Sequence, residues 1–217
     1  MNKRIAIRIF RDFVTGRMST NEFWSIYKND VELQNILVND KKRKKGKVKI
    51  KLNGVTLISI LNDKEFKVNP DNLLDKIDIN LLDDRYSLFC VIRRFLNMRG
   101  IYFDENEYND DYQEYWFLQS MLPDYVEIAD IAFLEKIYAQ APIEYDKAEK
   151  LSWCKKRTKE MFVYDNVEPD WYQTAEWPIV DGVPLVFSHQ ETTEEGIENY
   201  YFYDKNTKEN TVIEQIE

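Results

Sequence analysis

The sequence predicts an α+β fold, helical through its first and central parts and closing on a small antiparallel β-meander. Two observations lead there. Apolar residues recur at helical spacing in successive segments up to about residue 162. Beyond residue 165 come three runs of strand-forming residues, Val183–Gln190, Ile197–Tyr203 and Asn210–Ile216, joined by short turn-forming stretches. The expected organisation is a mainly helical region over 1–165, with a possible β-hairpin near 47–61. A small β module over 166–217 packs on it, either as a separate part or within one continuous domain.

The elements follow in order. Over 3–15, Ile5, Ile9, Phe10, Phe13 and Val14 make a helical stripe, although Ile5, Ile7 and Ile9 also alternate like a strand. Ser19 and Glu22 have capping-box spacing ahead of Phe23, Trp24, Tyr27 and Val31, which predicts a helix in one or two pieces to about Leu37. Val48, Ile50 and Leu52 alternate with lysines before Asn53-Gly54, a hairpin signal. From Asp83, a helix buries Leu88, Phe89, Ile92, Phe95 and Leu96, with Asp83 or Asp84 as its cap and Arg99-Gly100 as its stop. Further helices are expected at about 109–121, 129–139 and 146–162. Pro142 closes the second, and Asp146 with Glu149 caps the third. Turns are expected around Thr193-Glu194-Glu195-Gly196 and Asp204-Lys205-Asn206-Thr207.

Composition narrows the class. Hydrophobic residues make up 44% of the 217 and aromatics 14%, enough for a packed core and too many for a disordered chain. No secretory leader is read at the start and no apolar stretch approaches a membrane span, so a cytoplasmic protein without membrane contact is expected. Cys90 and Cys154 sit in apolar periodic segments and read as reduced core thiols. Charge is uneven. Residues 1–51 hold 14 Lys and Arg against five Asp and Glu; the remaining 166 residues hold 16 against 34. Such asymmetry steers charged partners and is silent on the fold.

Candidate chemistry is sparse. His189 is the one histidine, and its neighbour Ser188 is expected not to pair with it, because successive strand residues point to opposite faces. The carboxylate pairs Asp83-Asp84, Asp104-Glu105, Asp110-Asp111 and Glu194-Glu195 lack calcium-loop spacing and accompany no glycine-rich phosphate loop. They read as caps or solvated faces, so no catalytic residue, metal or cofactor is expected; a carboxylate-dependent enzyme is an alternative. Lys41, Lys42, Arg43, Lys44 and Lys45 open a basic segment, 41–51, that could neutralise phosphates. No aromatic residue is interleaved there for base stacking, so a nucleic-acid-associated factor is a second alternative. The stretch Tyr108 to Trp116 mixes large rings with acids. Tyr108, Asp110, Asp111, Tyr112 and Glu114 are the candidate partner-binding residues, since tyrosines anchor interfaces and carboxylates steer basic partners.

One segment carries a resemblance. Pro169-Asp170-Trp171-Tyr172-Gln173, then Glu176-Trp177-Pro178, then Gly182-Val183-Pro184-Leu185-Val186-Phe187, ending at Gln190, resembles a stretch of the YwqG-like family. It is also similar to the C-terminal module of small bacterial immunity-type proteins encoded beside polymorphic toxins. Phe117 to Val126 and Trp153-Cys154-Lys155 are similar to segments of the same proteins. The likeness covers roughly residues 81–217. In physical terms Trp171, Gln173, Trp177, Pro178, Gly182 and Pro184 are structural: a turn glycine, a strand-edge proline and rings that pin an irregular segment. The resemblance implies an antitoxin that neutralises a cognate toxin by direct contact, and it carries over no catalytic residues. The acidic balance of the chain beyond residue 51 points to a basic toxin domain as the partner.

Overall fold

The computed structural model describes residues 2–38, 77–175, 177–194 and 196–216. The hairpin expected near 47–61 and the basic segment 41–51 lie outside them. By packing the chain falls into two units, Met1–Trp116 and Phe117–Glu217. Among the described residues there are seven α-helices, a two-stranded ribbon and a three-stranded antiparallel sheet near the C-terminus, so the α+β class holds.

In the first unit, α1 (Lys3–Val14) is capped by Asn2, whose Oδ1 accepts from the Arg4 N–H at 3.0 Å. Its buried residues are Ala6, Phe10, Phe13 and Val14, while Ile5 is exposed. Helical spacing therefore prevails over the alternation of Ile5, Ile7 and Ile9. The Ser19–Glu22 capping box starts α2 (Thr20–Asn29), and Asp30 accepts from the Leu33 N–H at 2.9 Å to start α3 (Val31–Val38). Phe13 stacks on Phe23 at 4.4 Å, and Phe10 meets Phe95 edge-on at 5.0 Å. These rings join α1, α2 and α4 (Leu82–Asn97).

The start of α4 corrects an expectation. Leu81 is the N-cap and makes no side-chain cap bond; Asp83 and Asp84 lie inside the first turn. Asp84 Oδ2 instead accepts from the Asp78 N–H at 2.7 Å, tying down the approaching chain. Both carboxylates still favour the helix's positive end. The expected face of Leu88, Phe89, Ile92, Phe95 and Leu96 is buried, and the helix closes before Gly100 at φ +74°.

The division between units falls within α5 (Asp110–Gln119). In the second unit, Asp130 caps α6 (Ile131–Gln140), and a complete Asp146–Glu149 capping box starts α7 (Lys147–Met161). Cys154, Thr158 and Phe162 are buried on one side of α7, as its periodicity requires.

The strands refine the expected meander. The run Val183–Gln190 is broken at Leu185. Its start is β2 (Val183–Pro184), paired with β1 (Ile179–Val180) across a turn in which Asp181 and Gly182 both have positive φ, 50° and 76°. The rest belongs to β3 (Val186–Glu194), which runs through two residues of the expected turn before Gly196, at φ +83°. Leu185 is held out of the ladder because its N–H donates to the Pro178 carbonyl at 3.0 Å and its carbonyl accepts from Trp177 Nε1 at 2.7 Å. β4 (Ile197–Tyr203) and β5 (Asn210–Ile216) have the bounds the sequence implies, in the order β3-β4-β5.

The unit boundary stands at 116/117 and not near 165, because the sheet's inner face is closed by residues from before the strands. Trp177, 2% exposed, packs against Phe162 at 5.7 Å and Tyr125 at 5.8 Å. Tyr125 Oη donates to the Phe162 carbonyl at 2.7 Å, and its own carbonyl accepts from Trp171 Nε1 at 3.0 Å. The helices α6 and α7 thus group with the β module. No helix among the described residues is long and apolar enough to cross a membrane.

Candidate partner-binding site

The acidic, aromatic stretch of the first unit is built from a loop and the start of α5. Asp104 Oδ1 accepts from the N–H and the side-chain amide of Asn106, at 2.9 and 2.8 Å, and so winds Glu105–Glu107 into one 3-10 turn. Asn109, buried, donates its N–H to the Val14 carbonyl and accepts the Tyr112 N–H on Oδ1 at 3.1 Å. Gly16 supplies the left-handed turn (φ +67°) next to this contact, a conformation that side-chain-bearing residues rarely adopt.

Five candidate residues separate into two kinds. Tyr108 is 8% exposed, set edge-on to Phe89 at 5.1 Å and to Tyr112 at 4.7 Å, with the Arg93 guanidinium 4.8 Å from its ring. Asp111 is also buried, bound to Arg85 Nε at 2.7 Å and to the Thr20 hydroxyl. The expectation that both face a partner is therefore corrected: one fills the core and the other joins α2, α4 and α5. Asp110 and Glu114 are exposed, Glu114 lying 3.6 Å from Arg85 Nη2, and Tyr112 is half-buried.

Tyr112 and Trp116 stand one helical turn apart and, with Glu105, Asn106 and Gln113, line a shallow depression of about 460 Å³. Gln113 Nε2 donates to the Glu105 carbonyl at 3.0 Å and fixes the loop against the helix. Trp116 Nε1 is buried and has no hydrogen-bond partner among the described residues. Burial, and then the nearby Glu105 carboxylate, push the Tyr112 phenol above its ordinary range, so it stays protonated and able to donate. A cationic side chain entering here meets aromatic faces beside carboxylates, an arrangement that suits lysine and arginine. Sequence reading missed Glu105, Asn106, Gln113 and Trp116 as parts of this site; the i, i+4 spacing of Tyr112 and Trp116 was the available signal.

Elsewhere the reactive residues have structural surroundings. Cys90 and Cys154 are buried. Burial pushes the Cys90 thiol up to about 11, with Tyr86 and Arg93 pulling the other way, and burial also raises Cys154. His189 corrects the reasoning about its neighbour. Phe187 pairs with Phe202 and His189 with Tyr201, so Ser188 is an extra bulge residue, and its Oγ lies 3.1 Å from His189 Nδ1. The ring stacks on Tyr201 at 4.5 Å, and Nε2 is 3.6 Å from Glu191. Among the described residues no three His, Cys, Asp or Glu converge as metal ligands.

The motif residues of the second unit hold its irregular segment. Trp171 stacks on Tyr200 at 4.5 Å; Gln173 donates its N–H to Gln215 at 2.8 Å and its amide to the Ile216 carbonyl; Pro184 is buried. Tyr200 Oη accepts from the Tyr172 N–H at 2.8 Å and donates to the Asp170 carbonyl at 2.9 Å. Glu198, 4% exposed, accepts from Gln190 at 2.9 Å and Thr192 at 2.6 Å. No protein-family model, curated protein or solved structure matches the chain.

Proposed function

We propose that this chain is an immunity-type binding protein that neutralises a basic toxin domain by direct contact, using the depression around Tyr112 and Trp116. One observation carries the reading: two neighbouring rings on α5 border a loop whose Asp104, Glu105 and Glu107 are exposed, with Asp110 and Glu114 exposed on the same helix. Rings supply contact area at small entropic cost, and carboxylates speed capture of a cationic partner. The resemblance of residues 169–190 to immunity-type proteins supports the same reading. Co-expression with the product of the neighbouring gene is the test. Rescue of growth together with a stoichiometric complex is the expected result; toxicity unrelieved, with no complex, overturns the proposal.

A further inference from the structure

The second unit has an open surface of different make. Residues 163–217 contain 13 Asp and Glu against two Lys and no Arg. Part of that charge stands on the outward side of the three-stranded sheet. Along β4 burial alternates: Glu198, Tyr200 and Phe202 are buried, while Ile197, Asn199, Tyr201 and Tyr203 face the other way. Their ladder partners continue that face. Asn199 lies between Glu191 and Glu214, and Tyr201 between His189 and Val212. Glu191, Glu214, Val212 and Ile216 are exposed, and Ile197, Asn199, Tyr201 and Tyr203 of β4 are half-buried.

The two carboxylate-bearing strands flank β4 about 10 Å apart, twice the strand spacing. Asn199 stands between Glu191 and Glu214, and Tyr201 two residues along β4, with Glu191 also 3.6 Å from His189 Nε2. A planar guanidinium pairs with carboxylates through several donors at once. His189, stacked on Tyr201 at 4.5 Å and 4°, holds that ring in place. A cation already sits on the same face: Lys208 Nζ lies 5.2 Å from the Tyr203 ring centre. Val212 adds exposed apolar surface next to the acidic row, as an interface anchor requires.

We infer that the outward face of β3-β4-β5 is a docking surface for an arginine-bearing segment of a basic protein, centred on Glu191, Asn199, Tyr201 and Glu214. It belongs to the second unit and stands whether or not the depression in the first unit binds anything. The test is calorimetry on the full chain with short oligoarginine and oligolysine peptides of equal length. The native protein is expected to bind the arginine peptide more tightly. Glu191→Gln combined with Glu214→Gln weakens that binding about tenfold, whereas the equally charged control Glu127→Gln with Glu135→Gln changes it by less than about twofold. All four positions are exposed, and coincident melting curves check that the fold is kept. Equal losses in both pairs, no arginine preference, or no binding by the native chain overturns the inference. Concentration-dependent self-association abolished by Val212→Lys overturns it as well, since the occupant is then a second copy.

Discussion

The two units treat their aromatic residues differently. In the second, the rings carry polar handles that are bonded over long sequence distances: Trp171 Nε1 to the Tyr125 carbonyl, Trp177 Nε1 to Leu185, Tyr125 Oη to Phe162 and Tyr200 Oη to Asp170. In the first, rings meet chiefly one another. Tyr86 stacks on Tyr115 at 3.7 Å, and Tyr112 and Trp116 approach to 6.3 Å beside an acidic loop. A ring bonded through its handle orders its own fold, whereas Tyr112 and Trp116, half-buried, leave part of their rings at the surface. Composition alone does not reveal this difference, because both units are rich in Tyr, Trp and Phe.

Substitutions make the contrast measurable. Trp177→Ala has the largest expected effect, a loss of about 3–5 kcal/mol, because a buried ring is replaced by a cavity and the Leu185 carbonyl loses its donor. Chemical denaturation reads it directly, and a loss below about 1 kcal/mol would mean that Trp177 does not tie the helices to the sheet. Tyr112→Ala is next: about 2 kcal/mol of partner affinity is expected to go, close to a thirtyfold change in Kd. Trp171→Phe keeps a ring over Tyr200 but removes the Nε1 bond and part of the packing area, at about 1–2 kcal/mol of stability. Ser19→Ala dismantles one capping box for a similar or smaller loss.

Alkaline pH tests the buried groups together. Burial raises Cys90 from 9.0 to about 11 and Tyr125 from 10.0 to about 12. A folded-state pKa above the unfolded one contributes stability that is whole below the unfolded value and is lost as pH climbs through the folded value. Melting temperature should therefore be steady up to about pH 9 and fall between about pH 9 and 12. Cys90→Ser should reduce the early part of that fall, and an identical profile in this variant would show that Cys90 takes no part.

Local signals were legible in the sequence and long-range ones were not. The Ser19–Glu22 and Asp146–Glu149 boxes depend on residues three apart, and both helices start where those pairs place them. The bounds of β4 and β5 follow from flanking turn residues. By contrast, the Ser188 bulge depends on registration against β4, and it brings together two side chains that simple alternation separates. Asp84 was a plausible cap, but the N–H of Asp78 competes for its carboxylate. The same limit applies to the site. Of one stretch read as a single surface, Tyr112 is half-buried, whereas Tyr108 and Asp111 turn inward to Phe89 and Arg85.

The decisive experiment is calorimetric titration of the neighbouring gene's product into the native chain and its Glu105→Lys variant. Glu105 is exposed, and Gln113 bonds its carbonyl and not its carboxylate, so the substitution leaves the loop's attachment intact. If the depression around Tyr112 and Trp116 receives a basic partner, reversing this charge weakens binding about tenfold or more and makes it less sensitive to salt, with the melting temperature unchanged. Native affinity in the variant would contradict that placement.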